Sequence, residues 1–296
     1  MPAVRLLPAL VLFAGLTSAA VSADDRDDAI KKQKTTAAEN LEAAKLKLTS
    51  TETTDLLVYA SLPEDKTKAL GTTAQKVHDV AAKALMFDPP TNIWSGKLTL
   101  YVVTDQKKYK AFLLDALKQV PQGREAYRFG LRADAPYILD GVAQSDKPAD
   151  PAVANEAAVL VAGALLNKRA GTTAALNLPE WLQNGFGRAA LARSDASKLA
   201  AFKSKVRGVY TKTHGEPFKP SWVWGESASP DRELIAASFA EYLAFGPVAG
   251  KFPTFLGALK PDENGNSPGI DAAFTAADWK TDDLDAGWKK WVLTGK

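Results

Sequence analysis

Residues 153–166, VANEAAVLVAGALL, are apolar almost all the way round a helix. A helix with no polar face must be buried, so the rest of the chain has to be built around it. Its ends are marked. Asp150 can cap the start, Pro151 suits the first turn, Lys168 and Arg169 complement the dipole at the far end, and Gly171 follows. Glu156 is the exception on this helix. An ionised carboxylate in apolar surroundings is costly unless paired. One reading makes Glu156 a base or a ligand-binding acid in a pocket. The other, preferred here, makes it a buried structural carboxylate bonded to an Arg or Tyr.

The 296 residues suffice for one large domain or two small ones around a substantial core. With 46% hydrophobic and 24% charged residues, the composition is that of a globular protein rather than a disordered one. Arg5, the apolar run 6–16 and Val21-Ser22-Ala23 read as a signal peptide cleaved after Ala23, which implies a secreted or periplasmic protein. No later stretch approaches the roughly 20 apolar residues of a membrane span, so stable membrane insertion is not expected. There is no cysteine, and therefore no disulfide or lipidated thiol. Removal of Arg5 lowers the formal charge from +3 to +2, too weak a field to argue for nucleic acid.

The expected organisation is a signal peptide (1–23), a charged N-terminal arm (24–50), an α/β subdomain (51–148) and a helical subdomain (149–296). Residues 24–47 fit either a mobile arm or a surface helix. Residues 55–61 and 97–104 read as strands, the second with Leu98, Leu100 and Val102 on one face. Between them a helical stripe over 64–87 softens near Gly71 and stops at Pro89-Pro90. Asp105 can cap a helix running to Lys118, and Tyr137-Ile138-Leu139 suits a short strand. Further helices are predicted from Pro179 to about Ala192 and from Ser229-Pro230 to Gly246-Pro247. Trp279, Trp288 and Trp291 should pack a terminal helix onto the body. The fold class is α+β: a small mixed sheet with helices, then a mainly helical half.

Two segments carry a resemblance. Asn155-Glu156-Ala157-Ala158-Val159 lies on the apolar helix, and Leu178-Pro179-Glu180-Trp181-Leu182-Gln183-Asn184-Gly185 follows it. With the strand at 56–61, the helix and prolines at 64–90, the strand-helix unit at 97–117, the helix at 238–245 and Trp288-Lys289-Lys290-Trp291, they make the chain similar to the gluzincin metallopeptidases of the peptidase-MA-like type. The likeness covers roughly residues 50–295 and implies a zincin-like fold. It also implies a zinc site of two histidines at i and i+4, a glutamate general base between them, and a third ligand on the next helix. Here those ligand positions fall on Asn155, Val159 and Asn184, and only Glu156, at the base position, is retained. Valine cannot bind metal, and asparagine amides are poor zinc ligands. The two histidines, His78 and His214, have no ligand spacing; His78 is expected on a helix surface and His214 in a loop.

Other chemistry is poorly supported. Gly225-Glu226-Ser227-Ala228-Ser229 resembles a nucleophile elbow but lacks its second glycine. Glu156 paired with Glu180, Glu226 or Glu241 could make a two-carboxylate site only if the fold united them. Phe218, Trp222 and Trp224 suit core packing better than a stacking platform. The expectation is a secreted, catalytically inactive metallopeptidase-like protein without a cofactor or metal. It would bind a peptide or protein in a cleft formed by Glu156, Trp181, Trp222 and Trp224. The alternative is an active hydrolase, either an unconventional metallopeptidase or a metal-free, glutamate-dependent enzyme.

Overall fold

A computed structural model describes residues 23–88, 93–121, 126–131, 135–141, 151–172, 178–212, 219–224, 231–263, 266 and 268–295. Five strands form one mixed sheet: β1 (Thr49–Glu52), β2 (Leu56–Ala60), β3 (Leu98–Val102), β4 (Tyr127–Gly130) and β5 (Tyr137–Asp140), in the order β1-β2-β3-β5-β4. The three central strands are parallel, and the two edge strands run antiparallel to their neighbours. Buried on both faces, the central strands read as near-continuous apolar runs, the usual pattern of a covered parallel sheet.

Alternate side chains sort to two cores, as the period of a strand requires. Leu56, Val58, Ala60, Leu98, Leu100, Val102 and Ile138 face one core; Tyr59, Tyr101, Val103 and Leu139 face the other. The first, larger core is covered by α2 (Glu64–Ala84) and α4 (Pro151–Ala170). It continues through α5 (Glu180–Arg193), α7 (Arg232–Phe245) and α8 (Phe252–Ala258) to α9 (Ile270–Ala276) and α10 (Thr281–Thr294). A single buried apolar cluster thus crosses from the sheet half into the helical half. As predicted, α4 is central: it packs against α2, α5 and α8, and Ala157, Ala158, Val161, Ala162, Ala164, Leu165 and Leu166 are buried. Each fully buried Leu or Val contributes about 1.5–3 kcal/mol relative to exposure.

The second core lies under α1 (Ala23–Ala43) and the helix after β3. Of the two forms considered for the N-terminal segment, the helix is the one present, docked rather than a free arm. Gln33, Ala37 and Ala44 are buried. Asp105 caps α3 (Gln106–Ala111) by accepting from the Lys108 N–H at 2.9 Å. The helix then widens into a π-helical turn, Phe112–Ala116, instead of continuing as an α-helix to Lys118. The wider turn places Phe112 and Leu113 in the second core, and the chain leaves through Lys118 at φ 53°.

Two other expectations are corrected. The softening near Gly71 is absent: α2 is continuous, and a Cβ at Gly71 would lie 2.8 Å from Thr51 Cγ2, so this glycine lets β1 approach the helix. His78 is 1% exposed instead of on the surface. It shares the buried stripe of Ala74, Val77 and Ala81, at the spacings that place residues on one helix face. α6 (Ala196–Lys212), β1, α8 and α9 were not foreseen. No helix among the described residues is long and apolar enough to cross a membrane.

Candidate functional site

α4 and α5 are joined by a buried amide network. Asn167 Nδ2 donates to Gln183 Oε1 at 2.6 Å and to Gly163 O at 2.8 Å. Thr172 Oγ1 donates to Asn167 Oδ1 at 2.6 Å, and Gln183 Nε2 donates to Leu178 O at 2.8 Å. Further along, the two helices nearly touch. A Cβ on Gly187 would sit 2.5 Å from Val159 O and 2.7 Å from its Cγ1. On the other side of α5, a Cβ on Gly185 would lie 2.8 Å from Ala236 O of α7. Trp181 is buried and packs at a tilt on Phe239 of α7, with ring centroids 6.0 Å apart.

The residues singled out in the sequence therefore have separate roles. Val159 is buried in the α4–α5 crossing, and its side chain is committed to packing. Asn155 accepts from Lys198 Nζ of α6 at 3.2 Å. Glu156 is held by both terminal nitrogens of Arg188, at 3.0 and 3.4 Å; an arginine partner was expected, but the carboxylate is 34% exposed rather than buried. Asn184 donates to Glu180 Oε1, one turn back, at 3.3 Å. Asn155, Glu156 and Asn184 thus each bond a different partner and do not form a joint cluster. Trp222 and Trp224 belong to a 3-10 turn, Pro220–Trp224, in which Pro220 and Val223 are buried. That turn is fixed by Arg232, which donates to Val223 O at 2.7 and 3.0 Å. The side chains of Trp222 and Trp224, with Phe218, His214 and residues 225–229, lie outside the described residues.

A cavity of about 200 Å³ opens between α5 and α7, lined by Glu180, Trp181, Asn184, Arg188, Arg232 and Glu233 among others. Arg188 spans it from the Glu156 side to Glu233, whose Oε2 lies 3.4 Å from Nη2. Its buried Nε–H has no acceptor among the described residues. The edge strand β4 comes near the α5 end of this region. Burial raises the Tyr127 hydroxyl above its ordinary pKa, and the negative charge of Glu180 adds to the rise. Phe129 of β4 lies against α4, 3.5 Å from where a Cβ on Gly163 would stand.

These residues do not fit a zinc ion on α4 and α5. Val159 has no donor atom, and the oxygens of Asn155 and Glu156 already accept from cationic side chains. Among the described residues, the carboxylates considered as partners for Glu156 are bonded elsewhere, and Glu226 lies outside them. Glu241 is buried at 1% exposure and bonded to Arg193 and Trp291, while Glu156 is bonded to Arg188 and Glu180 to Asn184.

Arg188, Lys198 and Glu233 went unnoticed in the sequence. The available clue was Arg188 itself, a cation one turn beyond Asn184 in a mostly apolar helix. A second polar group, Asp55–His78–Asp79, has its nitrogen and oxygens within 4.8 Å of one another. Gln75 fills it: Nε2 donates to Asp55 Oδ2 at 2.9 Å and to Asp79 Oδ1 at 2.7 Å, while Oε1 accepts from the Asp55 N–H at 3.0 Å. Arg26 holds the other Asp55 oxygen at 3.3 Å. The hydrogen bond from His78 lowers the Asp79 pKa against the opposing effect of burial. With an amide donor fixed between its carboxylates, this group braces β2 against α2 and α1.

No protein-family model matches the chain, and no curated protein or solved structure matches it either.

Proposed function

We propose that this chain is an exported, catalytically inactive relative of the gluzincin peptidases that holds an extended peptide without cleaving it. The observation that carries this reading is the two-pronged pairing of Glu156 with Arg188 beside the α5–α7 cavity. A carboxylate engaged by a guanidinium is a poor general base. The cavity still offers an apolar wall at Trp181 and polar groups at Asn184 and Glu180. β4, an edge of the sheet, can pair with an added strand through its backbone, and the cavity would receive a side chain. Export rests on the leader pattern of Arg5, residues 6–16 and Val21-Ser22-Ala23.

The test is panning of a random peptide library against the chain from Asp24 onward, supplied with zinc, with mass spectrometry of the selected peptides after a day. The expected result is selected peptides that remain intact and lose at least tenfold in affinity for Asn184→Tyr, which fills the cavity. Cleavage that disappears in Glu156→Gln would instead make the chain a hydrolase.

A further inference from the structure

We infer that Arg188 is the resident cation of the α4–α5 face and excludes divalent metal there, over and above the missing ligands. The inference deepens the peptidase-like reading and rests on it. The oxygens of Glu156 and Asn155 on that face are already taken. Both carboxylate oxygens of Glu156 accept from Arg188, at 3.0 and 3.4 Å, and the amide oxygen of Asn155 accepts from Lys198 Nζ at 3.2 Å. Arg188 stands one turn beyond Asn184, so both occupy one side of α5 and line the same cavity.

A divalent ion reaching Glu156 would have to displace the guanidinium or sit beside it. Displacement leaves Arg188, whose side chain is 34% exposed, with Glu233 as its remaining carboxylate, 3.4 Å away on a side chain that is 80% exposed. Coexistence sets two charges against one at close range, in surroundings less polar than water. Either route penalises the metal even if imidazole and carboxylate ligands are restored. The arginine therefore performs the charge balancing that a metal would perform for Glu156.

The test separates ligand loss from charge exclusion. The double variant Asn155→His/Asn184→Glu places an imidazole next to Glu156 in sequence and a carboxylate one turn before Arg188, and leaves the Val159–Gly187 contact untouched. It is compared with the same variant carrying Arg188→Gln, and with one carrying Arg188→Lys. Arg188→Met, which keeps the packing of the side-chain stem, replaces Arg188→Gln if circular dichroism shows that variant unfolded. Zinc is measured by elemental analysis after loading and desalting, and affinity by chelator competition. Negligible zinc is expected with Arg or Lys at 188. Close to one zinc per chain is expected with Gln or Met, with affinity tighter by about a hundredfold. Full loading with Arg188 in place, or no loading in any variant, overturns the inference. Zinc in the unaltered chain would instead count against the metal-free reading of the whole site.

Discussion

Gln33 on α1 satisfies both backbone polar groups of Lys97 at the start of β3. Its Nε2 donates to Lys97 O, and the Lys97 N–H donates to its Oε1, each at 2.9 Å. One side chain thus substitutes for a neighbouring strand where the sheet is covered by a helix. Gln33→Ala leaves both groups buried and unpaired. It should destabilise the fold by about 1–3 kcal/mol. Urea unfolding at neutral pH checks this, and an unchanged midpoint would mean that α1 is not docked through Gln33.

Glu241 should be the costliest single carboxylate to remove. Buried at 1% exposure, it accepts from Arg193 Nε at 2.8 Å and from the Trp291 indole, with Lys203 Nζ 3.7 Å away. It ties α5, α6, α7 and α10 together. Glu241→Ala strands the Arg193 charge, which is only a quarter exposed, so a loss near the lower end of about 3–5 kcal/mol is expected. Thermal unfolding of Glu241→Ala against Glu233→Ala, whose carboxylate is largely exposed, gives the comparison. Equal effects would refute the assignment.

Glycine substitutions should change stability in opposite directions. Gly187→Ala drives a methyl group into Val159 O and should cost about 1–3 kcal/mol through overpacking. Gly208, inside α6, has nothing within 4 Å of an added Cβ. Gly208→Ala should therefore gain about 0.5–1 kcal/mol from the reduced entropy of the unfolded chain. Denaturant midpoints of the two variants decide it.

A pH dependence follows from Asp285 on α10. Its carboxylate accepts from Ser221 N–H at 3.2 Å and from Ser221 Oγ at 2.9 Å, yet burial outweighs these bonds and raises its pKa above the ordinary 3.8. A raised carboxylate contributes stability that is complete below the unfolded value and is lost as pH climbs through the folded one. Asp285→Asn removes that loss while keeping an acceptor for Ser221. Relative to the unaltered protein, the variant should gain stability between pH 3 and pH 7. A difference that does not vary with pH would contradict the burial argument.

β2 and β3 were readable from their apolar runs, α2 from its stripe, α4 from being apolar almost all round, and α5 and α7 from the prolines and glycine that bound them, and the structure places these close to the predicted bounds. β1 escaped because Thr49-Ser50-Thr51-Glu52 is an edge strand with half its side chains in water, so it carries no apolar alternation. α6 was hidden by its many lysines and small residues, and α8 and α9 by their shortness. The burial of His78 follows from the stripe of α2, but its approach to Asp55, 23 positions upstream, is one that no local pattern reveals. At the candidate site the individual residues were legible but their pairings were not. Glu156 announced a need for a cation, yet its partner lies 32 residues away across a helix crossing.

Gly185 and Gly187 are two positions apart, which on a helix of 3.6 residues per turn sets them about 200° apart around the axis. α5 is therefore notched on nearly opposite sides, with α7 lodged in one notch and α4 in the other. Rotating α5 by even a fraction of a turn would bring side chains into both notches and force its neighbours apart. The angular setting of the helix is thus keyed by backbone contact, independently of whatever side chains it displays. Asn184 and Arg188 inherit a fixed bearing from that keying, so the face they share can change its chemistry by substitution without changing its aim.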